Sequence, residues 1–154
     1  MKHSIYEAGI KENIFQRIDS LSAETQGRWG KLNATQMVRH LSEAARMTFG
    51  EIPMPDRSNF ITRSLFKWMF ITNKKIPGRE KGKLQTFPEI DIVKLGLKTD
   101  DLYKEKERYK AIVERIITTD KLHKEHTVFG KMTKDEWGHL TYAHADYHLT
   151  QFNS

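Results

Sequence analysis

Apolar residues recur every three to four positions along four separate stretches of this chain, and that spacing constrains the fold more than any other feature. An α-helix has about 3.6 residues per turn, so the spacing gathers the apolar side chains of each stretch on one face. Strict two-residue alternation, which indicates a half-buried strand, does not occur with comparable strength. The sequence therefore predicts an all-α protein.

Two capping boxes mark where two of these helices begin. Asn33 is followed three residues later by Gln36, and Thr133 by Glu136. In this motif the first side chain accepts from the third backbone amide while the second reaches back, which satisfies amides that a helix start leaves unpaired. We therefore expect one helix from Asn33 to near Gly50 and another from Thr133 to the C-terminus.

The same periodicity predicts two further long helices, at residues 6–21 and 102–119, and a shorter aromatic-rich helical stretch at 58–73. Four long amphipathic helices bury their apolar faces most economically as a four-helix bundle, with the short stretch in the connection between the second and third long helices. A length of 154 residues is typical of one domain. We therefore expect one bundle domain over residues 1–154.

The third long helix also carries oppositely charged residues three positions apart. The pairs are Glu105 with Arg108 and Glu107 with Lys110. Side chains at this spacing are neighbours on a helix surface and stabilise it modestly when exposed. Both pairs are expected on the solvent-facing side of the helix.

Three of the seven histidines fall on the inward face of a predicted helix: His40, His144 and His148. His144 and His148 form an H-x-x-x-H motif, whose two imidazoles project from one helix face one turn apart. The chain contains no cysteine, so a metal site here must use histidines and carboxylates. Three neutral imidazoles with a fourth position open are typical of a catalytic zinc site.

An alternative interpretation treats the same histidines as ordinary core residues with hydrogen-bonding partners. Leaving them buried and unpaired would cost about 1–3 kcal/mol each, a cost that a shared metal would reduce. Gln36, Gln151 and Glu43 lie near the same helical stripes and are candidates to line or support the site. The expected roles are instead capping or core packing for the two glutamines and a solvated position for Glu43. The other histidines are expected at a terminus, in a loop or on an outward helix face: His3, His123, His126 and His139.

The basic charge of the chain is concentrated in one segment. Residues 57–83 hold eight lysines and arginines against one glutamate, a local charge of 8 − 1 = +7 within a chain total of +6. Together with Phe60, Phe66, Trp68 and Phe70, this segment is an alternative binding site for nucleic acid or an anionic membrane. We expect instead that the aromatic residues pack into the core, that residues 74–88 form a mobile surface loop, and that nucleic acid is not the partner.

No stretch of the sequence has the composition of a signal peptide or a transmembrane helix. The N-terminus is polar and amphipathic, and eighteen apolar residues never run together. The expected location is therefore the cytoplasm.

Two blocks of sequence, residues 28–41 and 129–152, resemble the DinB/YfiT-like superfamily, specifically one of its uncharacterised bacterial branches. The resemblance implies an up-down-down-up four-helix bundle, often a homodimer. It also implies a divalent metal, zinc or nickel, held by one histidine of the second helix and an H-x-x-x-H pair of the last, at positions that match His40, His144 and His148.

Activity is less defined by the resemblance. Some relatives are transferases or isomerases that use a low-molecular-weight thiol such as mycothiol, bacillithiol or glutathione, so a metal-dependent transferase or hydrolase acting on a small molecule is one expectation. The general base and the other catalytic residues are unassigned. A structural metal that only stabilises the bundle is the other interpretation.

Overall fold

Helices make up most of the protein, and the long ones begin and end close to their predicted positions. The computed structural model describes residues 3–72 and 86–154. Its α-helices are α1 (Ile10–Ser20), α2 (Ala34–Arg46), α3 (Lys67–Thr72), α4 (Leu102–Thr118) and α5 (Lys134–Gln151). This confirms the predicted helical class. Within the described ranges no helix is long and apolar enough to span a bilayer.

Both predicted capping boxes are present. The amide of Gln36 donates to Asn33 Oδ1 at 2.8 Å, and the amide of Asn33 donates to Gln36 Oε1 at 3.1 Å. Thr133 and Glu136 make the equivalent pair of bonds at 3.2 and 2.8 Å. These reciprocal bonds define the starts of α2 and α5.

Helix α1 begins four residues later than predicted. Gly9, immediately before it, has a φ of 78°, a left-handed conformation that stops the helix from extending towards Tyr6. Residues Ser4 to Glu7 form a turn in which the amide of Glu7 donates to the carbonyl of Ser4 at 3.0 Å. The apolar spacing therefore located the helix, while the glycine set its first residue.

Short elements complete the described chain. A 3₁₀ turn (Met47–Phe49) carries α2 to Gly50, a π-helical turn (Thr62–Phe66) precedes α3, and a 3₁₀ turn (Pro88–Ile90) precedes α4. A two-stranded antiparallel hairpin, β1 (Glu125–His126) and β2 (Gly130–Lys131), lies before α5. Strands of two residues are too short to produce an alternating pattern, so the sequence did not predict them.

Two hydrophobic clusters hold these elements together. The larger one joins α1, α2, α4 and α5 through residues such as Ile14, Met37, Leu41, Val113 and Leu149. The smaller one lies where α3 and the hairpin pack against α5, and consists of Ile71, Phe129, Met132 and Trp137. The space between α2, α5 and the smaller cluster is where the inward histidines lie.

The expectation that Glu105 is exposed is wrong. Its side chain is fully buried, accepts from the amide of Asp100 at 2.8 Å, and pairs with the guanidinium groups of Arg108 and Arg39. Glu105 lies four residues before Tyr109, on the stripe that faces α2. The second pair, Glu107 with Lys110, is on the surface as predicted, at 2.8 Å.

The expectation that the aromatic residues of the 58–73 stretch pack inward is wrong for most of them. Phe60, Phe66 and Trp68 are 85%, 41% and 57% exposed. Phe70 does pack inward, with its ring centroid 5.7 Å from that of Phe129. Among the described elements, α3 packs against α5. The predicted loop at 74–88 lies, up to residue 85, outside the described residues.

Candidate metal centre

The three inward histidines come together as the sequence predicts. His40 extends from the middle of α2, and His144 and His148 extend from one face of α5. The three ring centroids are 4.8–5.1 Å apart. His40 and His148 are buried, and His144 is partly buried. Two separate helices thus bring three imidazoles to a common point.

The spacing of their nitrogens suits a metal ion. His40 Nε2 and His144 Nε2 are 3.3 Å apart, and one ligand nitrogen from each of the three rings lies within 4.8 Å of the other two. A tetrahedral metal with bonds of about 2.0–2.1 Å would hold its nitrogens about 3.3–3.4 Å apart. One of the three edges already has that length, and the other two are at most 4.8 Å.

Hydrogen bonds orient two of the rings. His40 Nδ1 donates to the carbonyl oxygen of Ile90 at 3.4 Å, and His148 Nδ1 donates to Gln151 Oε1 at 2.8 Å. Both partners are acceptors, so each Nδ1 carries the proton and each Nε2 keeps its lone pair. Metal-binding histidines typically have such a partner on the nitrogen remote from the metal.

Gln151 is itself held in place by the segment before α2. Its Nε2 donates to the carbonyl oxygen of Trp29, which fixes the amide orientation so that Oε1 faces His148. Gly30 has a φ of 85°, and a Cβ there would lie 2.5 Å from Gln151 Nε2. A glycine is therefore needed at position 30 for this close approach. Gln151, for which core packing is the expected role from the sequence, therefore contacts a ring of the histidine cluster directly.

Burial keeps the imidazoles uncharged. Desolvation lowers the pKa of His40 below its ordinary value of 6.5, although the bond to Ile90 and the charge of nearby Asp91 oppose the shift. Desolvation and the neighbouring imidazoles lower the pKa of His144 well below 6.5 and that of His148 to about 3. At neutral pH all three nitrogens can therefore donate a lone pair to a metal.

The other two candidates lie elsewhere. Gln36 completes the capping box of α2. Glu43 is buried, contrary to the solvated position usual for a helix glutamate, and pairs with Arg39 at 2.8 Å and Arg46 at 2.9 Å. Its charge acts on His40 only at a distance.

The expectation that His139 lies on an outward helix face is wrong, and His126, which was expected in a loop, is buried as well. His139 lies under the N-terminal segment, where its Nδ1 bonds the carbonyl oxygen of His3 at 2.8 Å. His126 lies in the hairpin, stacked 4.6 Å from the ring of Phe129. Within the part of the chain that the structure describes, the three-histidine group includes neither of them. Their burial depends on contacts distant in sequence, so helical spacing carried no signal for it.

Replacing His126 is expected to make the protein less sensitive to acid. Burial lowers the pKa of His126 to about 4 from 6.5, so the unfolded chain binds the proton first as the pH falls. The contribution of this shift to the unfolding free energy is fully present above pH 6.5 and is lost as the pH falls towards 4. It amounts to about 3 kcal/mol. His126→Asn keeps an acceptor for the amides of Val128 and Phe129 and should flatten the unfolding free energy between these pH values.

Chemical denaturation of metal-free protein at several pH values would measure this slope. His123→Asn, which changes an exposed histidine of the same loop, is the matched control and should retain the wild-type slope. An unchanged slope in His126→Asn would contradict the prediction.

The fold and the site together define a mostly helical protein with a three-histidine cluster that could hold a metal ion. The chain belongs to the family described as "Protein of unknown function (DUF1569)", whose profile matches residues 6–154. Searches of the curated proteins and of the solved structures found no match.

Proposed function

We propose that His40, His144 and His148 bind a divalent metal, zinc or nickel, and that the protein is a metal-dependent enzyme acting on a small molecule. The supporting observation is the convergence of three uncharged imidazoles at the wall of a cleft of about 800 Å³. A metal that only fills a structural site has no need of an adjoining cavity. A metal at this point would be accessible to a ligand from the cleft.

We also propose that the protein is a member of the DinB/YfiT-like superfamily. This membership is supported by the placement of one histidine on the second long helix and an H-x-x-x-H pair on the last, in a chain with four long helices. On this proposal α1, α2, α4 and α5 form an up-down-down-up bundle. The resemblance would add two further features to the proposed function. These are a low-molecular-weight thiol as a cofactor and a homodimer as the oligomeric state.

Each residue of the site has a stated role in this proposal. The three imidazoles supply the ligand nitrogens, and Ile90 and Gln151 hold two of the rings by their Nδ1 protons. A bound divalent metal would supply Lewis acidity and would acidify a coordinated water or thiol. The apolar wall of the cleft would exclude bulk water and strengthen those electrostatic effects.

Cobalt(II) substitution tests whether a coordination position is open to the cleft. Metal-free protein loaded with cobalt should develop visible absorption bands, and these should change when a small thiol or azide is added. Failure to bind cobalt would overturn the metal site. Bands that do not respond to either added ligand would indicate a closed, structural site and overturn the enzyme proposal.

Removing the support of one ligand should weaken metal binding without abolishing it. Gln151→Leu deprives His148 Nδ1 of its acceptor, and the zinc affinity is expected to fall about 10–100-fold. Competition with a chromophoric chelator would measure the change. Gln16→Leu alters an exposed glutamine of α1 and should leave the affinity unchanged; an equal loss in both variants would contradict a specific role for Gln151.

The exposed face of the 58–73 stretch favours a second function, binding to an anionic lipid surface. Phe60, Ile61, Leu65 and Trp68 are each more than half exposed. They belong to the segment of local charge +7. Exposed aromatic and aliphatic side chains inserting between lipids, next to basic residues attracted to anionic headgroups, are typical of interfacial binding.

Vesicle sedimentation tests this function. The protein should bind vesicles containing phosphatidylglycerol and not vesicles of phosphatidylcholine alone. Phe60→Ser combined with Leu65→Ser should reduce binding, while Tyr103→Ser, which removes an exposed aromatic residue of α4, should not. Absence of vesicle binding, or binding to single-stranded RNA in its place, would overturn it.

A further inference from the structure

The cleft beside the three histidines has apolar walls on every side that the structure describes. Helix α2, the residues around the Pro88–Ile90 turn, α3 with its preceding turn, the hairpin and α5 all contribute. The apolar lining includes Leu41, Phe66, Phe70, Phe87, Ile92, Phe129 and Leu140. A volume of about 800 Å³ lies within the range of cavities that enclose drug-sized molecules.

Charge is scarce in this cleft. Apart from the histidines, the only charged side chains among its described lining residues are Lys31, Asp91 and Lys94. Lys31 is an exposed residue, and the side chain of Lys94 is 72% exposed and lies 3.7 Å from Asp91. The two lysines belong to the solvent-facing rim, whereas the Asp91 side chain is only 20% exposed and its charge acts on His40. An anion inside the metal-free cleft would lose its hydration, and no cationic side chain among the described lining residues lies beyond the rim to replace it.

Buried polar groups lie next to the three histidines. Gln151 and Thr141 are buried, and Tyr147 Oη accepts from Trp29 Nε1 at 3.2 Å. Further polar side chains of the described lining that carry no full charge are Thr48, Thr62, Thr86 and His126. A largely apolar wall with polar groups beside the histidines is suited to a molecule that is apolar over most of its length and carries a polar group for that end.

We propose that the cleft binds an uncharged, predominantly apolar small molecule whose single polar group points towards His40, His144 and His148. The choice of polar end rests on the metal-binding function proposed above; binding of the apolar part does not. Phosphorylated nucleotides and other polyanions are the ligand classes that this assignment excludes, so of the low-molecular-weight thiols that the resemblance implies only uncharged ones fit.

Two fluorescent probes with one skeleton test the charge preference. N-phenyl-1-naphthylamine is uncharged, and 1-anilinonaphthalene-8-sulfonate adds one negative charge to nearly the same shape. In metal-free protein the uncharged probe should bind saturably, one per chain, and the sulfonate should bind at least about tenfold more weakly because the described lining offers it no cation within the cleft. Equal or tighter binding of the sulfonate to the cleft would overturn the proposal.

Filling the cleft shows whether the probe binds there. Ala44 on α2 and Ala143 on α5 line it from different helices. Ala44→Trp, and independently Ala143→Phe, should lower the affinity for the uncharged probe at least about tenfold because each side chain occupies its volume. Ala111→Trp, on the exposed face of α4, is the matched control and should retain the wild-type affinity. Unchanged affinity in both folded cleft variants would overturn the proposal.

The metal and the cleft can be tested separately. The His144→Ala variant should still bind the uncharged probe, since that residue contributes only the polar end. Probe binding without metal binding would support the ligand class while overturning the metal-dependent function. Metal binding without probe binding would support the metal site and overturn the proposed ligand class.

Discussion

Zinc affinity is expected to fall by about a hundred- to a thousandfold when His144 is replaced by alanine. Structural zinc sites bind with about 10–16 kcal/mol, so each of four ligands accounts for roughly 3 kcal/mol, and every 1.4 kcal/mol is tenfold in affinity. His144 Nε2 lies 3.3 Å from His40 Nε2, on the edge that already matches a tetrahedral site. Removing this ring leaves two ligands on separate helices.

The measurement is zinc titration against a chromophoric chelator, with protein prepared without a nickel column. His139→Ala is a demanding control because it removes a buried histidine of the same helix that lies outside the cluster. Its zinc affinity should equal that of wild type. If wild type and His144→Ala bind equally little zinc while both remain folded, the metal centre is wrong.

Glu105→Gln is expected to lower the unfolding free energy by about 3 kcal/mol. Breaking a buried ion pair typically costs about 3–5 kcal/mol because a charged partner is left uncompensated. The lower value applies here because both arginines keep a second partner: Arg39 pairs with Glu43 at 2.8 Å and Arg108 with Asp100 at 2.7 Å. A glutamine can still accept from the amide of Asp100. The loss of unfolding free energy therefore measures the effect of the charge of Glu105.

Urea denaturation monitored by circular dichroism would measure this loss. Glu107→Gln removes a carboxylate from the same helix, but its pair with Lys110 is on the surface, where such pairs contribute about 1 kcal/mol or less. Similar losses in the two variants would show that the burial of Glu105 does not matter to stability.

Glu105 also shows how far side-chain burial could be predicted from the sequence. Its charge and its i+3 arginine favoured the surface, although its position four residues before Tyr109 is on the inward stripe. Only the structure shows that Arg39 of α2 pairs with it. The exposed Phe60 and Trp68 are the opposite case. Their apolar character predicted burial, but in the fold Phe60 is 85% and Trp68 57% exposed.

The candidate site likewise has some features that the sequence predicted and others that only the structure shows. Helical spacing predicted the inward direction of His40, His144 and His148 and placed Gln151 one turn beyond His148. Spacing could not predict the bond from Gln151 to Trp29 or that from His40 to Ile90, because each joins residues far apart in the chain.

By itself the sequence determined the long helices, the capped starts of α2 and α5 and the inward direction of three histidines, because these depend on 3.6-residue periodicity and on bonds within four residues. Only the tertiary structure decided that α2 and α5 lie close enough to bring the three imidazoles together. It also decided that an apolar cleft opens beside them and that His126, His139 and Glu105 are buried. These features arise from packing between distant segments, which periodicity within one helix does not encode.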